Sequence, residues 1–426
     1  MEVDEEVRSD GAALVYAVLC SSDPGLLGAL VGALVAPEIH RLACGCRDLR
    51  SLLAAPGVGF LCPRLRPRTP FAFGAALTGC VATQLRSFRP AEDFDSLAFL
   101  PELAARLRNL TRLEELGPIL IDISSDVVID TGAGALSGSA LPGPITQGAS
   151  RFQGVPARTL LPALAEGFAH CRLLAELDLT VHCSDAPSAQ LAAEVLLPAI
   201  GSCRSLRSLS LDLDATLPMG PLLVTGVARL LGRLATSGDS RLRRLSLGYF
   251  WWSEVSEETL SSIRDALAAL ANAGTGGLRG GLRELAVMYP QDQELGGLDA
   301  ACAALQGACP TLEEVVVVDA WGEDGSGLSA LRDFLCGCPR LRQADIVGEL
   351  LADFDFGAFS APVRAATAAA EDGNLVRFNS AEGWRRAAAH AVSVRDRRRH
   401  EKRAVEAEAE DQHRRDEEAR GSWIAD

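Results

Sequence analysis

A chain of 426 residues, 48% of them apolar, has room for two or three domains with sizeable buried cores. Its formal net charge of −15 at pH 7 sets most of the surface against a phosphate backbone, so a general nucleic-acid binder is excluded.

The chain opens on MEVDEEVRSD, acidic where a secretory signal would be basic. The apolar run GLLGALVGALVAP (25–37) is too short for a membrane span and is bounded by Asp23, Pro24 and Glu38. An intracellular, cytoplasmic protein with the nucleus also open to it, no membrane association and free thiols on its 12 cysteines is the expectation. Residues 23–53 read as a short helix, a turn through Pro37 and a second helix. They belong to a helical module over 1–60.

Residues 61–157 read as a linker, a first irregular repeat and an insertion. The repeat falls at 101–123 (PELAARLRNLTRLEELGPILIDI), and 124–157 is rich in Gly, Ser and Pro, the composition of a long surface loop. Between 158 and 350 one pattern recurs six times: LAELDL from 174, LRSLSL from 206, LRRLSL from 242, LRELAV from 282, LEEVVV from 312 and LRQADI from 341. A stretch with helical periodicity precedes each, from LLPALAEGFAHC to LSALRDFLCGC. Helix, tight turn, short strand and loop, repeated at 29 to 40 residues, predict stacked units that bury their apolar faces only against one another. Residues 351–426 read as an Ala-rich cap or linker followed by a charged stretch (384–420). With almost no apolar stripe, that stretch is expected to be a solvated helix or disordered.

A cysteine stands three residues ahead of a leucine at CRDL (46–49), CRLL (171–174), CRSL (203–206), CPTL (309–312) and CPRL (338–341). At the end of each predicted helix, this position suits a small, buried, weakly polar side chain. No C-x-x-C occurs, and His170-Cys171 and His182-Cys183 fall at repeat positions, so no metal site and no cofactor are expected. VVIDTGA (127–133) is similar to the Asp-Thr-Gly loop of aspartic proteases, whose chemistry needs two such loops, and no second Asp-Thr-Gly or Asp-Ser-Gly occurs in this chain. G-A-G-A-L-S-G is followed by Pro142 and Pro144 rather than a helix, which removes the nucleotide-loop reading. Basic RLRPR (64–68) and RDRRRHEKR (395–403) read as solvated faces, the second neutralised by EAEAED just after it. With no nucleophile beside a base, the expectation is a protein that is not an enzyme.

The repeats resemble the leucine-rich repeats of the ribonuclease-inhibitor-like class, and the cysteine-bearing form resembles those of F-box/leucine-rich-repeat proteins. The resemblance covers roughly 158–348 and implies an α/β solenoid with a curved parallel sheet. LLGALVGALVAPEIHRLACGCRDLRSLL resembles an F-box, although Asp23-Pro24 replaces the usual opening Leu-Pro and the customary late aromatic is missing. By that resemblance Leu26, Leu27, Leu30, Pro37, Ile39, Leu42, Cys46 and Leu49 would dock on a Skp-type adaptor of a cullin–RING ubiquitin ligase. A second reading stays open at these residues: CRDLRSLL is itself a degenerate repeat, and the helices then only cap the array. Lys402 is the only lysine among 41 basic residues; lysine avoidance would suit a ligase component, but a GC-rich coding genome, which also explains the abundant Ala and Gly, is the favoured account.

Strand alternation sends Leu177, Leu179 and Val181 inward and leaves Asp178, Thr180 and His182 on the concave face. The next unit leaves Ser210, Asp212 and Asp214 there. Phe250, Trp251 and Trp252 of GYFWW follow, then Met288, Tyr289 and, past a strand end, Trp321. An acidic stripe beside an aromatic cluster predicts a surface for a protein partner. The function expected is substrate recognition within a cullin–RING ligase; the alternative is a repeat scaffold without a ubiquitin role.

Overall fold

The computed structural model describes residues 64–65, 85–89, 100–123, 157–183, 185–215, 219–236, 240–248, 252, 255–272, 281–288, 297–318, 327–348, 355–367, 376–391 and 394–422. Ten parallel strands lie side by side in chain order: β1 (Arg64–Leu65), β2 (Ser87–Phe88), β3 (Glu115–Ile123), β4 (Glu176–Cys183), β5 (Ser208–Ala215), β6 (Arg244–Gly248), β7 (Glu284–Met288), β8 (Glu314–Val318), β9 (Gln343–Val347) and β10 (Val376–Phe378). Helices alternate with them: α1 (Leu100–Leu107), α2 (Ala157–His170), α3 (Ala186–Leu191), α4 (Leu197–Ile200), α5 (Met219–Thr236), α6 (Glu257–Asn272), α7 (Leu298–Leu305), α8 (Leu328–Cys336) and α9 (Phe356–Ala366). Two further helices, α10 (Ala381–His390) and α11 (Val394–Ser422), follow the last strand. Among the described residues the strand order never reverses, so the described sheet lacks the switch point at which doubly wound sheets open a ligand crevice.

The predicted units form as helix, turn and strand, each strand starting two residues after its leading leucine. The sheet also runs further than the repeat pattern foretold, back to Arg64 and on to Phe378. The 101–123 segment is a full unit of α1 and β3, while the 124–156 insertion lies outside the described residues.

Register explains why the units stack. Leu177, Leu209, Leu245, Leu285, Val315 and Ala344 face one another across successive strands, and Leu179, Leu211, Leu247, Val287, Val317 and Ile346 form the next row. Both rows belong to one apolar core with the inner stripes of the helices: Leu161, Leu164 and Phe168 of α2, Leu223, Leu230 and Leu234 of α5, and Leu331, Phe334 and Leu335 of α8. Each such side chain contributes about 1.5–3 kcal/mol by leaving water. Gly226 lets α5 approach its neighbour, since a Cβ there would lie 2.6 Å from the Cα of Ala193. The helix beneath widens into a π stretch at Ala192–Leu196 just before Pro198, which has no N–H to donate.

The repeated cysteines sit where the helices end. Cys171 Sγ donates to the carbonyl of Leu107 at 3.8 Å and Cys203 Sγ to that of Phe168 at 3.4 Å, each reaching the end of the preceding unit's helix. Cys309 reaches Phe334 O at 3.7 Å, and Cys338 reaches the same carbonyl at 3.3 Å. These thiols add a second, weaker bond to helix-end carbonyls that already accept a backbone N–H, from Leu110, Cys171 and Gly337 respectively. Burial pushes the Cys171 thiol up to about 12 and raises that of Cys203 as well, so neither is a nucleophile near neutral pH. Cys46 lies outside the described residues.

Leu211 has no exposed surface and neighbours in both flanking units. Leu211→Ala should cost about 2–5 kcal/mol, read as a lower midpoint in urea unfolding with an unchanged slope.

Candidate functional site

Side chains that do not face the helix layer point to the opposite, open face of the sheet. Register arranges them in rows. One row runs Asp178, Ser210, Ser246, Ala286, Val316, Asp345 and Arg377; the next runs Leu120, Thr180, Asp212, Gly248, Met288, Val318 and, on β9, Val347. The rows change character along the sheet. Over β4 and β5 they are hydroxyls and carboxylates; over β7 to β9 they are mainly aliphatic.

The apolar half is covered. Ala286, Met288, Val316, Val318 and Val347 form a second core with Trp384, Ala387 and Ala391 of the first C-terminal helix and its end, and with Ala404 and Ala407 of the second. The 384–420 stretch was expected to be solvated or disordered, and this corrects that expectation for its inner face. A stripe of alanines, small enough for helix and sheet to approach closely, does the packing. The outer face stays in water, with Val405 68% exposed and ion pairs such as Lys402–Glu406 on the surface.

Polar contacts fix the hairpin of α10 and α11 to the sheet. Asp345 has no exposed surface and accepts from Arg377 Nε at 2.7 Å, Arg377 Nη2 at 3.0 Å, Arg386 Nη1 at 3.0 Å and Gln343 Nε2 at 2.6 Å. Burial raises its carboxyl, and the Arg377 guanidinium pulls it back down. Arg386 also pairs with Glu314. The Asn379 side chain bridges Gly348 N and O, both at 2.7 Å, and Ser380 caps α10 at Gly383 N. Ser246 Oγ donates to the carbonyl of His390 at 3.1 Å, and Arg397 Nη2 donates to Ala391 O at 3.2 Å across the turn. The Trp384 and His400 rings lie 5.6 Å apart.

The polar half is what the candidate surface consists of. β4 and β5 bring Asp178 beside Ser210, Thr180 beside Asp212 and His182 beside Asp214, as strand alternation requires. Thr180, Ser210 and Asp212 are buried rather than open, while Asp178 and His182 are half-buried. Burial raises the Asp178 carboxyl, opposed by its bond to Ser210 and by the charges of Arg89, Arg397 and Arg244. Two residues that strand patterning did not single out complete the edge. Arg89 binds Glu115 at 3.3 Å and Glu176 at 3.0 Å, and Leu120 is 40% exposed above Thr180. Gly117, at φ 131°, sits at the irregularity where β3 meets β4; a Cβ there would come within 2.4 Å of the Asp178 carbonyl.

Two expected partner-binding residues are not available on the open face. Trp252 is 2% exposed in the core on the helix side, because a large ring fills the oversized unit after β6. Met288 does face the open side, but the C-terminal hairpin covers it. Phe250, Trp251, Tyr289 and Trp321 lie outside the described residues, as do Leu26, Leu27, Leu30, Pro37, Ile39, Leu42, Cys46 and Leu49. The Asp-Thr-Gly segment is outside them too. Among the described residues no three His, Cys, Asp or Glu side chains come together as a metal site, and no helix is long and apolar enough to cross a membrane.

No protein-family model matches the chain, and no curated protein sequence matches it.

His390 gives the hairpin a pH dependence. Burial lowers its ring to about 4, with the Arg244 charge adding to this, Glu284 opposing it and Arg386 adding again. An unfolded histidine titrates near ~6.5. Between these values the unfolded chain binds the extra proton, so this stability is present above ~6.5 and is lost as pH falls towards about 4. The loss should reach about 2 kcal/mol between neutral pH and about pH 5. Denaturant unfolding at both values should show it, and His390→Gln should remove that share of the pH dependence.

Proposed function

We propose that the chain is a non-enzymatic protein-binding subunit built on leucine-rich repeats of the ribonuclease-inhibitor-like class. The observation that carries this reading is the unbroken chain-order sheet, whose helix–strand units align their leucine rows one-to-one from β4 to β9. Such an array presents a wide, regular open face, and recognition of a folded partner is the use that geometry suits. The partner surface is the polar half: Asp178, His182, Glu176 and Arg89, with Leu120 as an apolar anchor at its edge.

The finer proposal is substrate recognition for a cullin–RING ubiquitin ligase. It rests on the likeness of residues 26–53 to an F-box, whose apolar positions would hold a Skp-type adaptor while the open face holds the target. The chain then transfers nothing itself and accelerates modification by holding the target near the ligase. The alternative is a scaffold subunit in which those helices cap the first unit.

Co-purification of the full chain with a Skp-type adaptor tests the choice. Capture by the native chain and its loss in a folded Leu30→Asp/Leu42→Asp variant is the expected result. A well-folded native chain that captures no adaptor would rule out the ligase role and leave the scaffold.

A further inference from the structure

Among the described residues, the turns that lead into β4, β5 and β6 carry a concentration of arginines without carboxylate partners on an otherwise acidic protein. Arg172 follows α2, Arg204 and Arg207 precede β5, Arg233 lies in the last turn of α5, and Arg241 and Arg243 precede β6; all six are exposed. Several arginines on other units are paired: Arg86 with Glu114, Arg283 and Arg342 with Glu313, Arg332 with Asp333. Among the described residues none of the six has a carboxylate partner. Favourable placement at a helix C-terminus explains Arg172 and Arg204. It does not explain Arg207, Arg241 and Arg243, which belong to the turn row.

The fold holds these groups in place. Arg207 N donates to Ala175 O at 2.7 Å and Arg243 N to Arg207 O at 2.8 Å, so the two backbones sit one strand apart in a ladder. Arg233 Nη1 is tied to Pro198 O at 3.1 Å, and Ser205 Oγ fixes Arg172 O at 2.7 Å. Between the units lies a cleft of about 690 Å³, lined by Arg172, Arg204 and Arg233 with Ser202 and Thr236 among its polar groups.

We propose that this cleft and turn row bind a short anionic segment of a partner polypeptide, its carboxylates or phosphates held by the arginine forks. Three units at ~4.8 Å per strand span roughly 10–15 Å, the length of three or four extended residues at ~3.3 Å each. A nucleic acid would extend beyond the arginines onto a surface of net negative charge. The site rests on the reading of the chain as a protein-binding subunit, but it lies away from the open face of the sheet.

Fluorescence anisotropy on the full chain tests it with three labelled six-residue peptides: one rich in glutamate, one with phosphoserines in place of the glutamates, and one with glutamines. Salt-sensitive binding of an anionic peptide, absent for the glutamine peptide, is expected. Arg172→Gln/Arg204→Gln and, separately, Arg207→Gln/Arg243→Gln should each weaken it about tenfold or more, while Arg332→Gln leaves it within about twofold. Equal binding of the two anionic peptides assigns the site to carboxylates, and preference for the phosphorylated one assigns it to phosphate. No anionic binding, equal binding of the glutamine peptide, or insensitivity to both double variants would overturn the site. Tighter binding of a labelled single-stranded oligonucleotide would overturn it in favour of nucleic acid. Because these arginines are exposed, the variants should keep the native urea midpoint, and this check is independent of whether the adaptor is captured.

Discussion

Each helix–strand unit has an apolar strand face and an apolar helix stripe, and only the units on either side can cover both. That mutual dependence is the constraint on which the molecule rests. It fixes the register, because a slip of one residue between neighbouring strands would turn the row of Leu179, Leu211 and Leu247 towards the open face. It fixes the helix layer, because Phe168 and Phe334 reach their depth only when the next unit is in place. The thiols of Cys171 and Cys203 serve the same end by bonding to helix-end carbonyls of the preceding unit.

A stacked array leaves the problem of its two ends. At the C-terminal end the fold answers it in an unusual place. β10 adds a last strand, Phe356, Phe359 and Phe378 close the edge with ring contacts, and the chain then turns at Asn379 onto the open face instead of continuing the helix layer. The aliphatic rows of β7 to β9 would be a large exposed apolar patch without this hairpin. With it they become a second core, and Asp345 is held by two arginines from different elements. Removing either arginine would leave a buried carboxylate less well compensated, a costly arrangement that ties α10 to its position.

The open face is thereby divided by composition. Where its residues are aliphatic, the C-terminal hairpin packs on them as a second core; over β4 and β5 they are carboxylates and hydroxyls. The unpaired arginines lie on a third surface, the turns between helix and strand. One array thus presents chemically distinct regions from the same few units, since a side chain's surface is set by its place within the repeat.

Sequence by itself determined the units: the period-two leucines, the helical stripes and the cysteines at 171, 203, 309 and 338 are local patterns, and local patterns dictate local structure. It also determined that Asp178, Thr180 and His182 share a face with Asp212 and Asp214, because side chains alternate along a strand and these residues hold equivalent positions in their units. Only the tertiary structure decided that the charged C-terminal stretch packs. Its buried face is made of alanines at 387, 391, 404 and 407, whose small apolar area is hidden by the arginines and glutamates around them and acquires value only against the sheet. The fate of Trp252 and Met288 was likewise a matter of contacts distant in sequence, one filling the helix-side core and the other lying under the hairpin. A strand pattern says which way a side chain points; what stands in front of it is settled by the rest of the chain.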